Sequence, residues 1–251
     1  MEKPYVKTSK TGGIGIIEFF HPHHNALPSA LLQLLVEALN AMDLDASVSL
    51  ILLQSGGNRS FCAGANFDEL MAIEDMEEGL SFFKGFGNVI NAIRTNRKIV
   101  VGRIQGKAVG GGVGIAAAAD ISFATKFASV RLSEISIGIG PFVIAPAVER
   151  KIGTAAFADM ALRPEKWVTA EKACVLGLFS EVFEDMEAMD EFLKTYLEKM
   201  SNYNPDALKA LKKIFWQGTE NWSDLLDQRA ELSGKLVLSD FTRQALEKFK
   251  K

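Results

Sequence analysis

Two short, almost entirely apolar runs, at residues 48–53 and 99–104, constrain the fold more than any other feature. Runs of this length without polar alternation are typical of strands that are covered on both faces, as in parallel sheets. An amphipathic stretch at residues 80–93 separates them, and a third strand is predicted at residues 121–124. Strands that alternate with helices predict an α/β fold with parallel pairing.

Further strands and helices are predicted before and after these apolar strands. Residues 14–19 indicate an early strand, and Pro28 suits the first turn of the helix that follows it. Beyond about residue 150 the chain is predicted to be mostly helical, and Thr169 can cap a helix that stops at Gly177. Another helix is predicted from a stripe of apolar residues at helical spacing: Met189, Phe192, Leu193, Tyr196, Leu197 and Met200.

Length and charge exclude some functions. A chain of 251 residues, 48% of them hydrophobic, can form one large domain or one domain with an appendage. Its 28 basic and 31 acidic residues give a net charge of -3, so no net basic field exists to attract nucleic acid.

Asn204-Pro205 opens a further helix, and we place a boundary near residue 200, with a core at 1–200 and C-terminal helices at 201–251.

The sequence also favours a cytoplasmic location. Residues 1–5 lack the apolar run of a signal peptide, and no apolar stretch approaches the ~20 residues that span a bilayer. The two cysteines, Cys62 and Cys174, are expected to be reduced thiols, because a chain of this size does not need a disulfide. We therefore expect no membrane association.

A glycine run at residues 109–114 is the strongest local motif. Glycines at a strand end, followed by small residues, let backbone N–H groups approach a ligand, and the helix N-terminus favours negative charge there. The alternative is a tight turn with a close helix contact. Two nucleotide-binding motifs fail: the dinucleotide fingerprint would need glycine where Ile115 stands, and a P-loop would need Ser or Thr where Ala108 stands.

Several motifs occur together in a recognisable order. Phe61-Cys-Ala-Gly-Ala-Asn66 precedes Gly106-x-x-x-Gly-Gly-Gly112 by about forty-five residues, and residues 127–134, 137–138 and 169–178 add further matches. In combination these closely resemble the signature of the crotonase (enoyl-CoA hydratase/isomerase) superfamily, from about residue 5 to residue 185. The resemblance implies an α/β spiral of β-β-α turns, with C-terminal helices that support a homotrimer or a hexamer built as a dimer of trimers.

The same resemblance implies an acyl-CoA site. Its oxyanion hole consists of two backbone N–H groups, which map to Ala63 and Gly111, and each donates to the thioester oxygen as an enolate forms. Coenzyme A enters as part of the substrate, and no separate cofactor is implied. Residues mapped to substrate binding are Ala26, Ala63, Gly64, Ala65, Asn66, Gly110, Gly111 and Phe142.

One departure from the family pattern decides the expected reaction. Hydratases of this family carry two glutamates; the second maps to Glu134, but the position of the first is Gly114. The family's usual aspartate is likewise replaced by Asn66. Water addition benefits from two proton carriers, whereas moving a double bond from the 3,4 to the 2,3 position needs one base. We therefore favour an isomerase, with a hydratase, another lyase such as a decarboxylase, and a non-catalytic acyl-CoA binder as alternatives.

Other reactive side chains receive structural interpretations. His21, His23 and His24 are crowded in one loop, but no acidic or cysteine partner has the spacing of a metal site, so no metal is predicted. Cys62 adjoins the predicted oxyanion donor without a neighbouring histidine to activate it, and packing is the simpler role. The acyl chain and the carrier, CoA or a carrier protein, stay open.

Overall fold

The computed structural model describes residues 3–248; the predicted outer limits at 1 and 251 lie outside this range. The strands are β1 (Tyr5–Thr11), β2 (Ile14–Phe20), β3 (Leu50–Ser55), β4 (Ser60–Cys62), β5 (Ile99–Ile104), β6 (Lys107–Val109), β7 (Ile121–Thr125), β8 (Ser129–Arg131), β9 (Val168–Thr169) and β10 (Glu181–Phe183). The helices are α1 (Ser29–Leu44), α2 (Phe67–Met71), α3 (Met76–Thr95), α4 (Gly111–Ala118), α5 (Ala145–Leu162), α6 (Ala170–Val175), α7 (Met186–Ser201), α8 (Pro205–Phe215), α9 (Trp222–Val237) and α10 (Asp240–Glu247), with a 3₁₀ turn at Glu134–Ile137.

Two sheets organise the chain. Six strands in the order β1-β2-β3-β5-β7-β10 form the first sheet, in which only the β1–β2 pair is antiparallel. The second sheet has the order β4-β6-β8-β9. Successive chain turns place β3, β5 and β7 in the first sheet and β4, β6 and β8 in the second, each followed by helical structure. This confirms the predicted α/β spiral of β-β-α turns.

The apolar strands are covered on both faces, as predicted. In β3, Ile51 and Leu53 lie in the main core, whereas Leu50 and Leu52 belong to a second cluster with residues of α7. The alternate side chains of a strand point to opposite faces, so apolar residues at every position fill both cores. The apolar stripe on α7 is therefore the cover of one face of the sheet.

Local signals set several element boundaries. The Thr169 hydroxyl caps α6 by accepting from the Lys172 N–H at 3.3 Å, and Gly177 follows with φ of +90°. Asn204 caps α8 through its side-chain oxygen. The strands of two or three residues that form the second sheet were not predicted, and neither was β1.

The C-terminal helices pack against the spiral. Trp222, Leu226 and Ala230 belong to the main core, and α9 approaches α3 so closely that a Cβ on Gly79 would lie 3.0 Å from the Cα of Gly234. Residues 201–248 therefore complete the hydrophobic core, and their predicted role in trimer formation stays a prediction. Within residues 3–248, no helix is long and apolar enough to cross a membrane.

Candidate active site

A cavity of about 290 Å³ lies where the two glycine-containing loops meet the turn after β8. Most of its wall is apolar, and polar side chains come from Arg131, Glu134, Glu165 and three serines. The predicted site residues on this wall are Ala63, Gly64, Ala65, Gly110, Gly111, Glu134 and Phe142. The structure thus brings together residues from four separated segments of the chain.

The two loops touch directly. A Cβ on Gly64, whose φ is +89°, would lie 2.8 Å from the Val109 carbonyl oxygen and 3.6 Å from the Gly111 nitrogen. A Cβ on Gly112 would lie 2.4 Å from the Cys62 carbonyl oxygen. No side chain fits at these contacts, so the glycines are required for the convergence of the loops.

The amides of the first loop are not equivalent. The Ala63 N–H donates to the His24 carbonyl at 3.2 Å, and the Gly64 N–H donates to Cys62 Sγ at 3.4 Å. The Ala65 N–H donates to no group within residues 3–248. The amide that sequence reasoning assigned to the oxyanion, that of Ala63, is therefore already used by a neighbouring loop.

The second loop presents the start of α4. Gly111 is the first residue of this helix, and the first N–H groups of a helix have no acceptor within it. The Gly110 N–H, by contrast, donates to the Arg131 carbonyl at 3.0 Å. A Cβ on Gly111 would lie 2.2 Å from the Phe86 ring, so packing against Phe86 requires a glycine here, and its predicted role in access to a ligand stays a prediction.

Glu134 begins the 3₁₀ turn and holds its carboxyl group against Gly110. A Cβ on Gly110 would lie 2.7 Å from Glu134 Oε1, so any larger residue would displace the acid. Glu134 Oε2 is buried and has no hydrogen-bond partner among the described residues. Burial raises the pKa of Glu134 to about 7, against backbone hydrogen bonds and the Arg131 charge, which lower it. A carboxyl group in this state can exchange a proton near neutral pH.

The position of the missing first glutamate is filled by another side chain. A Cβ on Gly114 would lie 2.3 Å from Ile144 Cγ2 and 2.6 Å from Ile144 Cβ. Ile144 itself is buried and lines the cavity. This space therefore holds an apolar side chain, and a glutamate at position 114 would collide with it.

Two predicted binding residues lie away from the cavity wall. Asn66 is buried and its side-chain oxygen accepts from the Glu69 N–H at 2.9 Å, which caps α2. Ala26 is buried, and its N–H donates to the His23 carbonyl at 2.9 Å. Both support the first loop, since Leu27 and Ala65 form a bridge between their segments. Their predicted contacts with CoA stay predictions.

The surroundings of the histidine loop and of Cys62 fit structural roles. Asn25 fixes this loop through its side chain, donating to the carbonyls of Gly56 at 2.8 Å and Ser60 at 2.9 Å. Burial lowers the pKa of His21. Cys62 is fully buried, and burial raises the pKa of its thiol to about 12, which opposes a nucleophilic role.

Ile144, Arg131 and Glu165 are among the cavity residues that sequence reasoning missed. Arg131 stacks on Trp167, with Cζ 4.6 Å from the ring centroid, and Glu165 is exposed at the edge. Trp167 is not part of the wall, and its ring packs against Arg131. No local pattern marked Ile144 or Glu165, and Arg131 lies in the motif at 127–134 without an assigned role, because the neighbours of these residues in the cavity come from distant segments.

The fold and the site define a class of enzyme in which a short spiral of β-β-α turns brings main-chain amides and a buried acid to one cavity. The model of the enoyl-CoA hydratase/isomerase family matches residues 9–250, and the chain belongs to this family, the crotonase superfamily.

Similar proteins include members named as hydratases and a member named as an isomerase. A probable enoyl-CoA hydratase of Bacillus subtilis strain 168 is 26% identical over 94% of this chain and 92% of its own length. A peroxisomal Delta(3,5)-Delta(2,4)-dienoyl-CoA isomerase of Arabidopsis thaliana is 28% identical, covering 89% of this chain and 84% of its own. The crystal structure of an enoyl-CoA hydratase from Bacillus halodurans superposes with a TM-score of 0.91 at 26% identity, covering 97% of this chain and 99% of that chain.

Proposed function

We propose that this enzyme moves the double bond of a 3-enoyl-CoA to the 2,3 position, with Glu134 as its single base. The observation that carries the proposal is the pair formed by Glu134 and Gly114. One acid lies buried in the cavity, and the space of a second is filled by Ile144. Isomerisation needs one proton carrier, whereas water addition benefits from two.

The oxyanion site of this proposal combines the amides of Ala65 and Gly111. Ala65 replaces the Ala63 donor expected from the sequence, because the Ala63 N–H donates to the His24 carbonyl, whereas the Ala65 N–H has no acceptor in the part of the chain that the structure describes. Both residues line the cavity, and Gly111 adds the positive end of α4. Two such donors stabilise the negative charge that develops on a thioester oxygen when a proton leaves C2.

The proton moves in two steps. The Glu134 carboxylate takes a proton from C2, and the electron pair moves into the thioester carbonyl to form a dienolate. The protonated Glu134 then returns the proton at C4 as the carbonyl reforms. No electrons are exchanged with another group, so the reaction requires no redox cofactor. A pKa near 7 suits a group that must accept and then release the same proton.

The test is the variant Glu134→Gln with a short 3-enoyl-CoA, followed by the absorbance of the conjugated product. We expect turnover to fall by at least ~10², within the range for loss of a general base. Glu165→Gln is the matched control, since it removes an exposed carboxylate from the same cavity. Equal activity of the Glu134 variant and the wild type would remove this acid from the mechanism.

A hydratase is the second candidate, and the position of Glu165 at the cavity favours it. This carboxylate also borders the cavity and offers a second proton carrier. In that case Glu165→Gln would abolish water addition to a 2-enoyl-CoA. In the favoured reading, wild-type hydration is slow relative to isomerisation and the Glu165 variant changes neither rate. Thioester binding without either reaction would indicate a binding module.

Assembly and location complete the proposal. Leu211, Ile214 and Phe215 are exposed on α8, and an exposed apolar surface of this kind is typical of a subunit contact. We propose that the C-terminal helices form a homotrimer, or a hexamer of two trimers. Cys62 and Cys174 are free thiols, which fits the proposed cytoplasmic location.

A further inference from the structure

Arg131 is a cation at the cavity, and its charge lowers the pKa of Glu134 without a direct ion pair between the two. Its side chain borders the cavity, and its Nε is buried without a hydrogen-bond partner among the described residues. It forms no ion pair with any carboxylate within residues 3–248, although Glu134 and Glu165 border the same cavity. An arginine that is partly buried normally has an acceptor for its N–H groups, because an unpaired buried donor is costly.

Trp167 packs against this guanidinium. The Arg131 Cζ lies 4.6 Å from the indole centroid, and Lys107 Nζ lies 5.0 Å from the same centroid. Stacking engages the face of a guanidinium and leaves its N–H edge available for an acceptor in the plane. The Arg131 carbonyl is held as well, since it accepts from the Gly110 N–H at 3.0 Å. Arg131 is therefore positioned from both ends.

The remaining cavity wall indicates what the acceptor belongs to. Phe67, Leu70, Phe83, Ile137 and Ile139 provide apolar surface of the kind that accommodates a hydrocarbon chain. Arg131 is the only basic residue on the described wall, so one anionic group fits here. A planar carboxylate matches the forked donors of a guanidinium better than any neutral group does.

We propose that Arg131 binds a carboxylate on the acyl group, so that the preferred substrates are acyl-CoA thioesters whose chain carries a second carboxyl group. This inference deepens the proposed function and rests on it for the reaction, but the recognition is a property of binding alone. Arg131 is a specificity residue in this proposal, whereas Glu134 carries the proton.

The experiment measures binding of three ligands to the full-length protein by calorimetry. The ligands are a saturated acyl-CoA ending in a carboxylate, the chain of equal length ending in a methyl group, and free CoA. We expect the wild type to bind the carboxylate-ended thioester at least ~10-fold more tightly than its methyl-ended partner. Arg131→Met should weaken the carboxylate-ended ligand by about 10² and leave the other two within about 3-fold, as expected for loss of one charge-assisted partner.

Two further variants separate this inference from its alternatives. Arg131→Lys keeps the charge without the planar fork and should retain part of the preference for the carboxylate-ended thioester. This variant also keeps the inference testable if Arg131→Met does not fold. Glu134→Gln should keep the binding preference while losing turnover, so failure of the isomerase proposal is distinguishable. Equal wild-type affinity for the two thioesters overturns the inference. A uniform loss for all three ligands in Arg131→Met also overturns it, because it would assign the arginine to the CoA moiety.

Discussion

Asp120 and Glu134 are two buried acids of the same chain, and the structure surrounds them in opposite ways. The Asp120 side chain is 1% exposed, and Lys212 and Trp216 donate to it at 2.6 Å and 2.7 Å. The Val100 N–H adds a third bond at 2.8 Å. Glu134, in contrast, has an oxygen that is buried and accepts nothing.

The partners of each acid follow from its place in the fold. Asp120 lies where β7 begins, and its cationic partner, Lys212, comes from α8, so the pair joins the C-terminal helices to the spiral. Lys212 is itself 3% exposed and also donates to the Ile93 carbonyl. A buried charge is stable only with such partners. The Asp120 carboxyl therefore has three hydrogen-bond donors, one of which is a buried cation.

The Glu134 carboxyl group, in contrast, can gain and lose its proton near neutral pH. Its walls are apolar, and burial is the largest cause of its raised pKa. A group with a full set of hydrogen bonds would be held in one protonation state, because exchange would break those bonds. The two acids therefore differ in their hydrogen bonding: Asp120 accepts from three donors, whereas Oε2 of Glu134 has none among the described residues.

Removing the paired acid should have the largest effect on stability. Asp120→Asn leaves the Lys212 charge buried without its counterion, and we expect a loss of about 4 kcal/mol in the free energy of unfolding. Urea denaturation measures it. Asp159→Asn is the matched control, because its side chain is 42% exposed beside Arg163 and Lys166, and such pairs contribute at most about 1 kcal/mol. The double variant Asp120→Asn/Lys212→Met should recover part of the loss, and equal effects of the two single variants would contradict the comparison.

Removing Glu134 should instead stabilise the protein, by an amount that grows as pH rises above about 4.5. The folded pKa of Glu134 is about 7 against an ordinary value of 4.5, so the folded state holds this proton more tightly than the unfolded state. The stability of the wild type therefore falls as pH rises from about 4.5 to about 7, and then levels off. Glu134→Gln removes this dependence, and its advantage above pH 7 should reach at most about 3 kcal/mol.

Urea unfolding at pH 5 and at pH 8.5 measures this difference. Near pH 5 the variant and the wild type should have similar stability, because Glu134 is protonated in the folded state. Glu165→Gln provides the control for loss of an exposed carboxylate. A wild type that gains stability relative to Glu134→Gln between these two pH values would contradict the raised pKa of Glu134.

Much of this arrangement was predictable from local sequence. The strand at Ile99–Ile104 was predicted at its observed bounds, because an apolar run is a short-range signal. Glu134, by contrast, was assigned to the site only through the resemblance to the family, and the structure places its carboxyl group against Gly110. The second sheet was not predicted, since strands of two or three residues carry no periodicity. The His24 bond to Ala63 and the Ile144 contact with Gly114 depend on residues at least thirty positions apart, which no local pattern encodes.

The smallest expected effect concerns a new acid at position 114, whose side chain would need the space that Ile144 now fills. Gly114→Glu alone should cost about 1–3 kcal/mol of stability through overpacking and should add no hydration of a 2-enoyl-CoA, because its Cβ would meet Ile144. Ile144→Ala would not relieve the collision, since the Ile144 Cβ itself lies 2.6 Å from the new Cβ. Gly114→Glu/Ile144→Gly opens the space, and we expect a gain in hydration of up to about 10-fold over the wild type.

Ile144→Gly alone is the control for the enlarged cavity. If the double variant hydrates the thioester and this control does not, the lost carboxylate limits water addition in the wild type. The new acid would then be a second unpartnered carboxyl beside Glu134, and repulsion between the two would raise the pKa of one of them. The hydration rate of the double variant should therefore follow a bell-shaped pH profile, whereas isomerisation by the wild type should rise through a single pKa near 7. A single rise in both reactions would mean that Glu134 works alone even when a second acid has room.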